Sequence, residues 1–143
     1  MSVREFYNSV ATRYDAFMDL HQYVGPTWLA EVLLLMPTPR RAIDFGCANG
    51  ALGKIIRQIA AGARLLGIDI SNAMLEQAAS RKVYDELYEL DLAKPIPLIP
   101  TSSADLAVAL GFIEFLDHPS NFLNEACRCL CEDGWLLVSF QML

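Results

Sequence analysis

"AIDFGCANGALGK", residues 42–54, sets a short apolar run with an acid near its end against a glycine-rich turn. Asp44 is followed by Gly46, Ala48, Gly50 and Gly53, with small side chains at Cys47 and Ala51. Glycine at such a turn supplies backbone conformations closed to other residues and lets a partner come close to the main chain. The stretch reads as a buried strand over residues 41–45 that turns sharply into a helix over 50–60.

Outward from this turn the same alternation continues. "RLLGIDI" (64–70) reads as a second strand, and Ser71 caps a helix running through Met74, Leu75 and Ala78. "ELYEL" (86–90) is a weaker third strand that closes at Asp91, and a loop with Pro95, Pro97 and Pro100 follows. "DLAVAL" (105–110) is a fourth strand, and Pro119-Ser120 opens a helix through Phe122, Leu123, Ala126 and Leu130. Asp133-Gly134 turns into "WLLVSF", a fifth strand.

Toward the amino end, Ser2 and Glu5 have the spacing of a capping box. Phe6, Tyr7, Val10, Tyr14, Phe17 and Met18 then recur as one stripe of a single amphipathic helix. Gly25-Pro26 breaks it, and a second helix through Trp28, Leu29, Val32, Leu33 and Met36 is stopped by Pro37 and Pro39. Residues 1–40 are thus a helical cap segment ahead of a core over 41–143, within one domain. Strands that are almost continuously apolar and alternate with helices specify a parallel sheet covered on both faces. The fold class is α/β, a Rossmann-like doubly wound parallel sheet.

Composition narrows the function. The chain has 143 residues, 54% of them hydrophobic, with a mean hydropathy of +0.30, enough for one well-buried core. Net charge is -6, and the 11 basic residues are dispersed, with adjacent pairs only at Arg40-Arg41 and Arg81-Lys82. Nucleic-acid and membrane-surface binding both need clustered cations, so neither is expected. No apolar run is long enough to cross a bilayer and the amino terminus is not a signal peptide, which points to the cytoplasm and reduced cysteines. Cys127, Cys129 and Cys131 form C-x-C-x-C without the C-x2-C pairs of structural zinc sites, so no metal is expected.

In a doubly wound sheet, ligands sit outside the carboxyl ends of the strands. The first three ends carry Asp44, Asp69 and Asp91; the fourth ends in Leu110-Gly111-Phe112 with Glu114 beyond, and none carries Lys or Arg. A P-loop is excluded because Lys54 after Gly53 is followed by Ile55. The G-x-G-x-x-G of a nicotinamide loop is replaced by Gly46-x-Ala48-x-Gly50-x-x-Gly53, and no tyrosine has a lysine four places on. An acidic pocket with a bare backbone suits a cationic nucleoside without phosphate.

With these residues in place, the chain resembles the class I S-adenosylmethionine-dependent methyltransferases, in particular small-molecule enzymes of the ubiquinone-biosynthesis type. Asp44-x-Gly46-x-Ala48-x-Gly50 resembles the first motif of that family and "LLGIDISNAML" the second. "EACRCLCEDGWLLVSF" resembles its helix, glycine turn and fifth strand, and "FYNSVATRYDAFM" its leading helix with a Tyr-Asp pair. The resemblance implies S-adenosyl-L-methionine as cofactor and in-line methyl transfer to a small-molecule acceptor. It places Gly46 and Gly50 against the methionine part, with Asp44 ordering the turn and favouring the ammonium group. Asp69 accepts from the ribose hydroxyls, Asp91 from the adenine amino group with Leu92 alongside, and Ile70 and Met74 flank the adenine. Leu110 and Gly111 lie near the sulfonium, and Tyr14 closes over the cofactor. Gly53 reads as a helix–strand packing position.

The catalytic group is less legible, because methyl transfer needs a base only when the acceptor loses a proton. Glu114 and His118 are the candidates near the fourth strand, with His21 beyond the first helix; Phe115 stands where family members often have histidine. Tyr7, Tyr14, Tyr23 and Phe112 are expected to wall the acceptor pocket. The sixth and seventh strands usual in this fold have no counterpart before Leu143, which leaves strand five as an apolar sheet edge and a route to a homodimer. Two other readings stand beside the enzyme: a methyltransferase-like cofactor-binding or partner module with little activity, and an NAD-dependent oxidoreductase disfavoured by the glycine spacing.

Overall fold

The computed structural model describes residues 1–140. The chain opens with α1 (Val3–Val10), a 3-10 turn (Ala11–Arg13), α2 (Tyr14–Leu20) and α3 (Gly25–Leu34). Then follow β1 (Arg41–Phe45), α4 (Ala51–Ile59), β2 (Arg64–Asp69), α5 (Asn72–Ser80), β3 (Glu86–Glu89), β4 (Ala104–Leu110), a 3-10 turn (Ile113–Phe115), α6 (Pro119–Cys129) and β5 (Leu130–Ser139). The five strands form one parallel sheet in the order β3-β2-β1-β4-β5. The chain steps outward from β1 to β3 and then returns to the other side of β1, so the crevice lies above the β1–β4 pair.

The period-two alternation of each strand sorts its side chains between two apolar layers. Ile43, Phe45, Ile68, Ala107 and Ala109 face Phe122, Ala126 and Cys129 of α6. Ala42, Leu65, Leu106 and Val108 face Leu29 and Leu33 of α3 and Leu52 and Ile56 of α4. Asp44 shares the second face by alternation, which is why an acid comes to lie at the edge of a hydrocarbon layer. α3 belongs to the core, whereas α1 and α2 bury none of their residues.

Several element bounds shift by a residue or two from the sequence reading, and four differences change the picture more or bear on the site. The leading stripe is not a single helix, because the 3-10 turn interrupts it between Val10 and Tyr14. Gly25-Pro26 does not merely end a helix but starts α3, since proline fits the first turn, where its missing N–H is not needed. β3 ends at Glu89. β5 begins at Leu130, before Asp133-Gly134: the ladder pairs Ala104 with Leu130 and then Leu106 with Trp135, so residues 131–134 bulge out of the pairing. Among the described residues β5 pairs with β4 alone, and Trp135 and Phe140 are largely exposed.

Candidate functional site

Three residues of the turn after β1 take the left-handed conformation: Gly46 at φ +67°, Ala48 at φ +48° and Gly50 at φ +87°. For Ala48 this costs about 1 kcal/mol, and the neighbouring contacts hold it there. Its N–H donates to Asp69 Oδ2 at 2.9 Å, and the Cys47 N–H donates to the Ile68 carbonyl at 2.9 Å. The other Asp69 oxygen accepts the Ser71 N–H at 2.9 Å. Asp69 therefore joins the turns after β1 and β2 while keeping one edge toward the crevice. Burial raises its pKa, opposed by the amides of Ser71 and Ala48.

Two cavities flank this turn. One of about 180 Å³ is lined by Tyr7, Tyr14, Ala48, Asp69, Ile70 and Asp91, and closed by Leu92, Leu110, Gly111, Phe112, Phe115 and Leu116. The second, of about 330 Å³, is lined by Tyr14, Asp15, Met18, Tyr23, Cys47, Asn49 and Leu52. Gly46, Ala48, Leu110 and Tyr14 face both, so the two cavities share the glycine turn as floor and Tyr14 as roof. A larger open depression of about 790 Å³ lies at the amino ends of the strands around Arg40, Arg41 and Asp105, away from the crevice.

α1 and α2 form the lid, held by polar contacts. Asn8 Oδ1 accepts from the Ser71 hydroxyl at 2.6 Å, and Arg4 pairs with Glu89. Asp15 accepts from Asn49 Nδ2 at 2.6 Å and from Arg81 at 3.3 Å, while the Asn49 carbonyl accepts from Arg81 Nε at 2.7 Å. Tyr7 packs edge-on against Tyr14 with ring centroids 6.3 Å apart. Burial, followed by nearby acids and tyrosines, pushes Tyr7 and Tyr23 up to about 12 and Tyr14 higher still. All three hydroxyls are neutral at physiological pH, so they wall the site without acting as bases.

The structure brings most of the predicted residues together and sets three apart. Tyr14, Gly46, Asp69, Ile70, Asp91, Leu92, Leu110 and Gly111 line the first cavity. Met74 does not flank it: its side chain is fully buried beneath α5, three positions after the Ser71 cap. Gly50 turns away from both cavities, and a Cβ there would meet Arg81, Tyr84 and Ala78. Asp44 is fully buried and lines neither cavity. Glu114 and His118 are exposed on the turn after β4 and at the cap of α6; Glu114 is near enough to raise Tyr7 and Tyr23. His21 lies over Phe17, with Nδ1 2.7 Å from the Phe17 carbonyl.

Tyr84 went unread in the sequence. Its hydroxyl donates to Asp44 Oδ2 at 2.7 Å, and the signal for it was a pair of glycines, Gly53 and Gly67, with no turn to explain them. Gly53 is a packing position, as expected, but the group packed on it is the Tyr84 ring.

With this geometry the match to known proteins is specific. The methyltransferase domain family matches residues 43–138, which run from β1 through the acids of β2 and β3 into β5. The chain belongs to this family. A malonyl-[acyl-carrier protein] O-methyltransferase of Hahella chejuensis is 28% identical over 139 residues, covering 96% of this chain and 48% of that protein. A mitochondrial ubiquinone biosynthesis O-methyltransferase of Candida albicans is 30% identical over 103 residues, 68% of this chain and 31% of that protein. The chain thus spans about half or less of the length of these relatives. The crystal structure of a putative S-adenosyl-L-methionine-dependent methyltransferase of Methanococcus maripaludis superposes with a TM-score of 0.79 at 23% identity, covering 96% of this chain and 65% of that one. At that identity the likeness shows the fold: a Rossmann-like methyltransferase sheet.

Proposed function

We propose that this chain binds S-adenosyl-L-methionine across the two cavities and transfers its methyl group to a small-molecule acceptor. The observation that carries the reading is the convergence of Asp69 and Asp91 on one cavity whose floor is a left-handed glycine turn. A buried carboxyl oxygen without a hydrogen-bond partner, Asp44 Oδ1, lies beneath that turn, where a cationic ligand would favour its ionised form. When bound, the cofactor supplies an electrophilic methyl group on a sulfonium.

The protein's part is to bind, orient and exclude water. Asp69 presents its carboxylate edge to the ribose hydroxyls, and Asp91 accepts from the adenine amino group between Ile70 and Leu92. The amino end of α4 has no side-chain cap beyond Asn49, which leaves backbone N–H groups for a carboxylate. Leu110 and Gly111 border the sulfonium position, and Tyr14 closes over it with the negative face of its ring. Should the acceptor need to lose a proton, Glu114 is the nearer candidate base and His118 the farther.

A titration decides this. S-adenosylmethionine, S-adenosylhomocysteine and NADH are each titrated into the chain by calorimetry, beside Asp69→Ala. Binding of both adenosyl ligands, weakened about 100-fold in the variant by loss of charged hydrogen bonds and absent for NADH, supports the reading. A folded chain that binds neither adenosyl ligand sinks it, and NADH binding would favour the oxidoreductase.

The β5 edge favours a second role beside this one, pairing with another copy of the chain. Its backbone is unpaired on the outer side among the described residues, and Trp135 lies there 52% exposed. Light scattering on the wild type and Trp135→Glu tests it: a dimer that the charge dissociates supports the homodimer, and a monomeric wild type excludes it.

A further inference from the structure

Tyr84 lies between α5 and β3, and its ring runs through a slot that three glycines leave open. A Cβ at Gly53 would fall 2.3 Å from the Tyr84 hydroxyl, one at Gly67 2.7 Å from its ring and one at Gly50 3.1 Å from it. These glycines come from α4, from β2 and from the cap of α4. The slot ends at β1, where the hydroxyl donates to Asp44 Oδ2 at 2.7 Å. Among the described residues no other donor reaches the carboxylate, and Oδ1 is buried without a partner.

We propose that Tyr84 is a positioning residue of the adenosyl site: its hydroxyl fixes the Asp44 carboxylate as a negative charge beneath the glycine turn, where the ammonium group of the cofactor answers it. The proposal rests on the reading of the site given above. Aromatic bulk alone does not explain the arrangement, because phenylalanine would fill the same slot. What tyrosine adds is one donor, delivered where water does not reach and where a carboxylate is costly to keep charged. The groups around Asp44 do not supply a cation. Asp69 at the end of β2 repels it, and its charge is felt in turn by Tyr23 from the segment before α3, by the Cys47 thiol in the turn and by Tyr84. Burial is the dominant effect and leaves Asp44 at about 7, and the Tyr84 hydroxyl is the group that keeps it from going higher. Without that hydroxyl the carboxyl stays protonated over the physiological range, and the turn loses its charge.

The test follows S-adenosylhomocysteine affinity by calorimetry from about pH 6 to about pH 8.5, with Asp44→Asn as the reference for the ligand's own ammonium group, which at an α-amino pKa of about 7.7–8.0 titrates toward the upper end. Wild type, Tyr84→Phe, Asp44→Asn and the double variant are compared, each checked for a cooperative thermal transition. Wild-type affinity is expected to rise with pH through the Asp44 ionisation. In Tyr84→Phe the rise moves up by about a pH unit or more and affinity near pH 7 falls about tenfold, in keeping with loss of one charged hydrogen bond. Asp44→Asn abolishes the rise and leaves only the fall at high pH from the ligand's ammonium group, and adding Tyr84→Phe to it changes affinity little. A Tyr84→Phe profile superimposable on the wild type overturns the proposal. If that variant does not fold, persistence of the rise in Asp44→Asn overturns it equally. If no protein binds the ligand at any pH, the adenosyl reading fails instead. Carboxyl ¹³C NMR of Asp44 in the free chain then still reports whether Tyr84→Phe raises its titration, and an unmoved midpoint overturns the coupling itself.

Discussion

The ring of Tyr84 occupies the place that a Cβ at Gly53 would take, 2.3 Å from Tyr84 Cζ. By helix propensity alone Gly53→Ala would stabilise α4 by about 0.5–1 kcal/mol. Overlap with a packed aromatic ring, which is pinned to Asp44 at its far end, costs about 1–3 kcal/mol and decides the sign. Gly53→Ala is expected to lower the urea midpoint without changing the slope. Gly62 has nothing within 4 Å of an added Cβ, so Gly62→Ala serves as the control and leaves stability unchanged or slightly raised. A stable Gly53→Ala would mean that the ring leaves its slot freely.

Asp44 makes stability fall as pH rises. Its folded-state pKa of about 7 stands above the ordinary aspartate value of 3.8, because burial dominates over the Tyr84 hydrogen bond. Between about pH 4 and about pH 7 the folded chain therefore holds a proton that the unfolded chain has lost, and each pH unit in that window removes stability. Asp44→Asn removes the effect while keeping the shape. The variant is expected to melt above the wild type at pH 8, by an amount worth up to about 4 kcal/mol, and the gap narrows through the window and closes only by about pH 4. Thermal melts across that range check it. A gap independent of pH would place the Asp44 ionisation outside this window.

The parts of the site that were legible in the sequence share one property: the chain direction fixes them locally. β1 was read at its observed bounds because an apolar run meets a glycine turn, and Asp69 and Asp91 were placed because strand ends of a parallel sheet face one crevice. Ser71 and the Ser2–Glu5 box were legible as caps for the same reason. What escaped depends on contacts across the fold. Met74 lies in the first turn of α5, where the helix phase alone decides between cavity and core, and the core won. The break between α1 and α2 is invisible in a stripe that both halves continue. Tyr84 lies in the loop before β3 and Gly53 in α4, and neither residue type announces the other. Asp15 was quoted only as part of a Tyr-Asp pair, although it is the acid that holds Asn49 and Arg81 beneath the lid.

Tyr14 is the one aromatic side chain that faces both cavities, and it is carried by a lid helix none of whose residues is buried. Two effects could make it matter, and they predict different variants. If the ring supplies a cation–π contact to the bound sulfonium, Tyr14→Phe keeps most of the affinity for S-adenosylmethionine, whereas Tyr14→Ala loses about 0.5–2 kcal/mol. S-adenosylhomocysteine has no charge on sulfur, so Tyr14→Ala costs it less. If the ring only excludes water and closes the lid, Tyr14→Ala weakens both ligands by the same factor. Calorimetric affinities of the two ligands for the two variants separate these outcomes. The hydroxyl itself is held neutral by burial far above neutral pH, so a loss confined to Tyr14→Phe would reflect a hydrogen bond from that hydroxyl and not proton transfer. The geometry favours the first outcome: Tyr14 spans Gly46, Ala48 and Leu110, the three residues common to both cavities, where the sulfonium is proposed to lie.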